Sequence, residues 1–158
     1  PYPTSITLKD GTHLCGSLRR LDKAKVTFLS ASLGKLELPM SNVAVITLGD
    51  GELGKSVKSP NDGSVVACLQ SGAVMKGSIF AAVGDRIVFK TAKGIEKLNN
   101  SDIDSLVFSS YSKSEKITLR NGDRINVAGS WKGNRYEYQF AGSKRHVSLD
   151  AMRIIQFN

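Results

Sequence analysis

One short stretch of this chain occurs three times, and that repetition constrains the fold more than any single motif does. Ile6-Thr7-Leu8-Lys9-Asp10-Gly11 returns as Ile117-Thr118-Leu119-Arg120-Asn121-Gly122, identical at four of six positions, and Ala67-Cys68-Leu69-Gln70-Ser71-Gly72 is the middle copy. Three positions after each glycine stands an apolar residue, at Leu14, Met75 and Ile125. The first two copies place a further glycine two positions on, at Gly16 and Gly77, where the third has Val127. Each copy also closes alike, on Val43-Ala44-Val45-Ile46, Ile103-Asp104-Ser105-Leu106 and Met152-Arg153-Ile154-Ile155. Units of about 45 residues follow, at 5–49, 65–108 and 116–158, and self-similarity at such a period marks a repeat architecture.

Within each unit the apolar period is two. Ile6 and Leu8 alternate with Thr7 and Lys9, and Val26 and Phe28 flank Thr27, as half-buried strands require. Asp10-Gly11, Ser71-Gly72 and Asn121-Gly122 are turn pairs, because Gly takes positive φ freely and Asp or Asn tolerates it. The first unit predicts strands near 5–9, 12–21, 25–31, 34–38 and 43–48, with 39–42 a tight turn or one turn of 3₁₀ helix. Five strands in so short a unit imply a small, bent barrel. The stretch 50–64 is rich in Gly, Ser, Lys and Asp without apolar periodicity and reads as a linker, as does the shorter 109–115. Unequal linkers favour three tandem five-stranded barrels in an all-β chain over a single pseudo-threefold β-trefoil.

Charge is the next constraint. The chain has 22 Lys and Arg against 14 Asp and Glu, a net +8, which favours acidic partners such as RNA or an acidic polysaccharide. Nine of the basic and four of the acidic residues lie in 109–158, so the excess concentrates in the third unit. Cys15 and Cys68 fall at non-equivalent positions of different units and are expected to be unpaired. With His13 and His146 the only histidines, the chain suggests neither a disulfide framework nor a zinc site, and no cofactor is called for. No apolar run approaches the roughly 20 residues of a membrane-spanning helix. The segment from Pro1 has no basic n-region or apolar h-region, and the compartment is left open between exported or periplasmic and cytoplasmic.

The run Ser5-Ile6-Thr7-Leu8-Lys9-Asp10-Gly11-Thr12-His13-Leu14-Cys15-Gly16-Ser17-Leu18-Arg19-Arg20-Leu21-Asp22 resembles the first motif of Sm and Sm-like proteins. There a strand leads to a Gly turn, a second Gly lets the next strand bend, and an Asp follows. SH3-like barrels and tandem repeats of exported bacterial proteins have similar runs. The resemblance implies small five-stranded barrels and a binding role. It does not extend to the RNA pocket of that family, because Asp22-Lys23-Ala24-Lys25 and Leu38-Pro39-Met40-Ser41 stand where its Asn and Arg-Gly signatures would be.

The third unit holds the candidate binding residues: Trp131, the only tryptophan, with Lys132, Arg135, Lys144, Arg145 and His146. Basic side chains interleaved with aromatics can track a phosphate backbone and stack on bases or sugars. Tyr136 and Tyr138 align with Val26 and Phe28 and are expected in the core with hydroxyls at the rim, and Trp131 aligns near Leu21. No constellation nominates a nucleophile or a general base, and the glycines are followed by strands where a phosphate loop needs a helix. The leading expectation is a non-enzymatic binding or scaffold module of tandem Sm-like barrels mediating protein–protein or envelope interactions. The alternatives are an Sm-like nucleic-acid binder working through the basic third unit, and binding to acidic polysaccharide or cell wall. A monomer is expected over a two-chain, six-barrel ring, since the short second linker and divergent third unit break the symmetry a closed ring needs.

Overall fold

The computed structural model describes residues 4–60, 62–112, 117–126, 129–148, 150 and 152–155. Strands dominate them. The first segment forms β1 (Thr4–Leu8), β2 (His13–Leu21), β3 (Lys25–Ser30), β4 (Gly34–Pro39), a 3₁₀ turn at Met40–Asn42 and β5 (Val43–Thr47). Each strand end lies within one residue of the period-two expectation. The second segment repeats the order as β6 (Val65–Leu69), β7 (Val74–Val83), β8 (Arg86–Thr91), β9 (Gly94–Asn99), a 3₁₀ turn at Asn100–Asp102 and β10 (Ile103–Val107). The third gives β11 (Ile117–Leu119), β12 (Arg124–Ile125), β13 (Gly129–Lys132), β14 (Arg135–Phe140), β15 (Ser143–Ser148) and β16 (Met152–Ile155).

The three glycine turns are alike in detail. Leu8 N–H donates to Thr12 O and Gly11 N–H to Leu8 O, and the same two bonds recur at Leu69, Gly72 and Ala73 and at Leu119, Gly122 and Asp123. Gly11, Gly72 and Gly122 take φ of 93°, 93° and 94°. This is the three-residue hairpin in which an αL glycine forms the bulge after a type I turn.

All pairing is antiparallel, and most strands form one curled sheet of 13 strands that runs through all three segments, with β13, β14 and β15 in a separate sheet. Alternation turns Ile6, Leu14, Val26, Phe28, Leu36 and Ile46 inward in the first segment, and Ala67, Ile79, Ile87, Phe89 and Leu106 in the second.

The segments meet strand to strand at two seams. At the first, β5 pairs β10 with Ile46 opposite Leu106, each the fourth residue of its strand. The flanking bonds are mirrored: Leu48 N–H donates to Asp104 O at 2.8 Å and Phe108 N–H to Ala44 O at 2.7 Å, while Gly49 and Ser109 add 2.9 and 3.1 Å bonds to the same two carbonyls. At the second seam β12 pairs β2 with Arg124 opposite His13, each two positions past its turn glycine. Both seams therefore have a local two-fold character, in which residues aligned by the sequence face each other.

The stretch 50–64, read from the sequence as a linker, packs in part against the second segment. It carries one helical turn, α1 (Glu52–Lys55), and Leu53 and Val57 pack on Val66, Cys68 and Val107. Two apolar residues four apart are too few to register as periodicity. Gly54 is pressed so close to β10 that a Cβ there would lie 3.0 Å from the Ser105 Cβ. In the second linker, Ser112 N–H donates to Lys9 O at 2.9 Å, and 113–116 lie outside the described residues.

Candidate binding surface

The six candidate residues all lie on the small sheet, but they do not share a face. Ladder register places Ser130, Glu137 and His146 in one cross-strand row, Lys132, Arg135 and Ser148 in the next, and Gln139 beside Lys144. The rows on the other face are Trp131, Tyr136 and Val147, then Gly129, Tyr138 and Arg145. Lys132, Arg135, Lys144 and His146 thus stand together on the solvent side, all exposed. Trp131 and Arg145 point the other way.

The outward face forms a shallow depression of about 430 Å³ lined by Ser130, Lys132, Glu137, Gln139, Lys144 and His146. A neighbouring one of about 550 Å³ shares His146 and adds Arg120, Arg135 and Asn121. Glu137 is the acidic member of this surface and pairs with Lys132 at 3.4 Å. Such an exposed pair contributes little to stability, but it removes one positive charge from the field an anion would meet. Arg120 lies outside the 131–146 stretch in which the sequence groups its basic residues, and Glu137 reads there only as one position of the strand Tyr136-Glu137-Tyr138.

Arg145 is committed to structure. Its Nη1 donates to Leu33 O at 2.9 Å and its Nε to Phe140 O at 3.1 Å, so the guanidinium clips the small sheet to the 31–33 turn of the first segment. Trp131 packs edge-on against Tyr136 with ring centroids 5.4 Å apart and is 37% exposed. It stands opposite Tyr136 as Leu21 stands opposite Val26, in keeping with the alignment of Trp131 near Leu21 and of Tyr136 with Val26. Only the bend glycine is displaced: in the third segment it is Gly129, two residues later than position 127. A Cβ on Gly129 would lie 2.8 Å from the Tyr136 ring, as one on Gly16 would lie 3.0 Å from the Phe28 ring and one on Gly77 3.1 Å from the Phe89 ring.

Tyr136 and Tyr138 are buried as expected, at 4% exposure each, but the Tyr138 hydroxyl does not reach the rim. It is buried without a hydrogen-bond partner among the described residues, and burial raises its pKa above 10.0, with Arg145 opposing. An unpaired buried hydroxyl costs about 1 to 3 kcal/mol. Tyr138→Phe should therefore leave stability unchanged or raise it by about 1 kcal/mol, which urea unfolding measures; a clear loss would reveal a partner for the hydroxyl.

The second seam holds a denser cluster. Asp123 is fully buried, and its carboxylate accepts from Cys15 N–H at 3.0 Å, Ser32 Oγ at 2.6 Å and Asn121 Nδ2 at 3.3 Å. In the opposite direction Asn126 N–H donates to Thr12 Oγ1 at 3.1 Å, and Asn126 Nδ2 to Asp10 O. Asp123 and Thr12 each follow their turn glycine directly, so these contacts repeat the two-fold character of the strands. His13 lies 2.8 Å from Thr7 Oγ1 through its Nδ1. Burial first and Arg124 second lower its pKa below 6.5, with Asp123 opposing, so the ring is neutral at pH 7. Burial raises the Cys15 thiol and Asp123 adds to the shift, which keeps the thiol protonated. Both cysteines are free. A groove of about 750 Å³ runs over this back of the sheet past Ser5, Thr7, Thr47, Lys55 and Tyr111.

Compared with known proteins, the chain matches no family model, no curated protein and no solved structure.

Proposed function

We propose that this chain is a non-enzymatic binding or scaffold module, built of three Sm-like (SH3-like) small barrels, that works through strand edges. The observation carrying this reading is that its own segments are joined by backbone pairing at β5·β10 and β2·β12. A protein already assembled from edge contacts has the means to add a partner strand in the same way. At one end of the large sheet β9 pairs only with β8 among the described residues, and Ile95 on it is 60% exposed. Thr91 and Gly94 close the hairpin, so ladder alternation turns the amides of Ile95 and Lys97 away from β8. Lys97→Pro removes an outward donor and keeps the β8 ladder. It should abolish partner capture by the immobilised protein at unchanged melting temperature, whereas full capture by this variant would remove β9 from the reading.

A second reading has its own observation, the four basic side chains gathered outward on β13–β15. It makes the protein a binder of RNA or of an acidic glycan, an envelope polymer included. Reversing Lys132, Arg135 and Lys144 to Glu should then weaken RNA or heparin binding far more than reversing Lys9, Lys23 and Lys35, and should lower the salt slope by roughly one per lost contact. Arg145 is left out of the set because its reversal would break the clip to Leu33. Equal losses from the two triple variants would reduce the effect to net charge.

A further inference from the structure

We propose that two copies of this chain pair through the edge of β16 that faces away from β11, in a closed two-fold dimer that joins their large sheets. This rests on the strand-edge reading above and names one occupant for one edge. Within the chain, the closing strand of the first segment and that of the second are each other's partner, with Ile46 facing Leu106. β16 is the third such strand. It pairs β11 with Ile155 opposite Ile117, as β5 pairs β1 with Ile46 opposite Ile6 and β10 pairs β6 with Leu106 opposite Ala67. Among the described residues it pairs with nothing else and ends the 13-stranded order.

What fits this edge follows from the first seam. The β5·β10 contact is held by backbone groups, including the mirrored bonds to Ala44 O and Asp104 O, so it asks of its partner only a second closing strand in antiparallel register. A copy of β16 meets that requirement, with Ile155 facing its counterpart across the axis. Ladder alternation turns the Ile155 amide away from β11 and toward the partner, as the Ile46 amide turns toward β10.

The association should stop at two. Extending it by a seam of the kind the chain already makes would need the second one, whose counterpart in the second segment is the start of β7, where Val74 is 57% exposed. That seam depends on side-chain acceptors, Thr12 on one side and Asp123 on the other. The second segment has Ala73 at this position, which has no acceptor to offer. An isologous contact on one edge alone closes as a dimer. The expectation of a monomer concerned ring closure, which this contact does not require.

The test is light scattering over a concentration series, together with Ile155→Cys in a protein whose Cys15 and Cys68 are replaced by Ser. The mass should rise from 17.0 kDa toward about twice that value with concentration. Ile155→Cys should give a disulfide-linked dimer on mild oxidation, since directly opposed antiparallel residues fall within the Cα separation a disulfide spans. Ile95→Cys on β9 should not. On the unmodified protein, hydrogen exchange at the Ile155 amide should slow as concentration rises, a readout independent of how well the cysteine variants fold. A monomer throughout, a dimer in which Ile155→Cys fails to link and the Ile155 amide gains no protection, or species larger than two would each overturn the proposal. Partner capture lost in Lys97→Pro alongside a monomeric mass would overturn the β16 dimer alone and leave the strand-edge reading standing.

Discussion

Replacing Asp123 with alanine is expected to cost about 3 kcal/mol or more, because hydrogen bonds to a charged acceptor contribute roughly 1.5 to 3 kcal/mol each and this carboxylate accepts three. The loss falls at a seam. Cys15 N–H would be left half-buried without its acceptor, and Ser32 and Asn121 would lose the group that orients them toward each other, 2.8 Å apart. Asp123→Asn should be milder, since one oxygen can still accept from Cys15 N–H, although the new amide sets a donor against the donor on Asn121. Ser32→Ala should be milder still, removing one bond of the three. Denaturant unfolding of the set should rank the losses with Asp123→Ala largest, Asp123→Asn next and Ser32→Ala smallest. A loss below about 1 kcal/mol for Asp123→Ala would mean the seam is held by β2·β12 pairing alone. The amide of Cys15 should also exchange faster in Asp123→Ala than the amide of Ile46, which lies in the other seam.

Much of the strand pattern was legible in the sequence, for a physical reason. A half-buried strand must alternate, and a hairpin bulge must have a residue that accepts positive φ, so Ile6-Thr7-Leu8 followed by Asp10-Gly11 leaves few other readings. The same logic located the turn before β5, where Pro39 closes β4 and the 3₁₀ turn Met40–Asn42 follows. The seams were not legible, because backbone groups on a strand edge are the same for every residue and leave no compositional trace. Asp123 looked like any Asp beside a turn glycine, and only the fold brings it to Cys15 and Ser32, 108 and 91 positions away. The candidate surface was half legible. The sequence grouped Trp131, Lys132, Arg135, Lys144, Arg145 and His146 by nearness, but a strand sends neighbours to opposite faces. Moving the bend glycine from position 127 to Gly129 is a shift of two residues and leaves every side chain on its face, so the alternation along each strand alone divides them.

Gly16→Ala should be among the most damaging single substitutions in the chain, costing about 3 to 5 kcal/mol or preventing folding. β2 bends here to follow β1 through Gly16 opposite Thr4 and then β3 through Gly16 opposite Ser30. The bend brings β3 so near that a Cβ would collide with the Leu29 carbonyl oxygen, and would stand 2.9 Å from the carbonyl carbon and 3.0 Å from the Phe28 ring. Backbone cannot step aside as the end of a flexible side chain can, and Phe28 is fully buried, so relief would have to come from moving a strand of the core. Gly77→Ala should behave alike, with Lys90 in place of Leu29 and the Phe89 ring at 3.1 Å. Gly34→Ala is the control: nothing lies within 4 Å of its Cβ, but φ is +79°, so its cost should be the roughly 1 to 2 kcal/mol of an L-residue held in the left-handed region. Urea midpoints for the three variants separate collision from backbone strain. A Gly16→Ala midpoint no lower than that of Gly34→Ala would falsify the close crossing of β2 and β3, and with it the equivalence of Gly16, Gly77 and Gly129 as the points where each second strand turns.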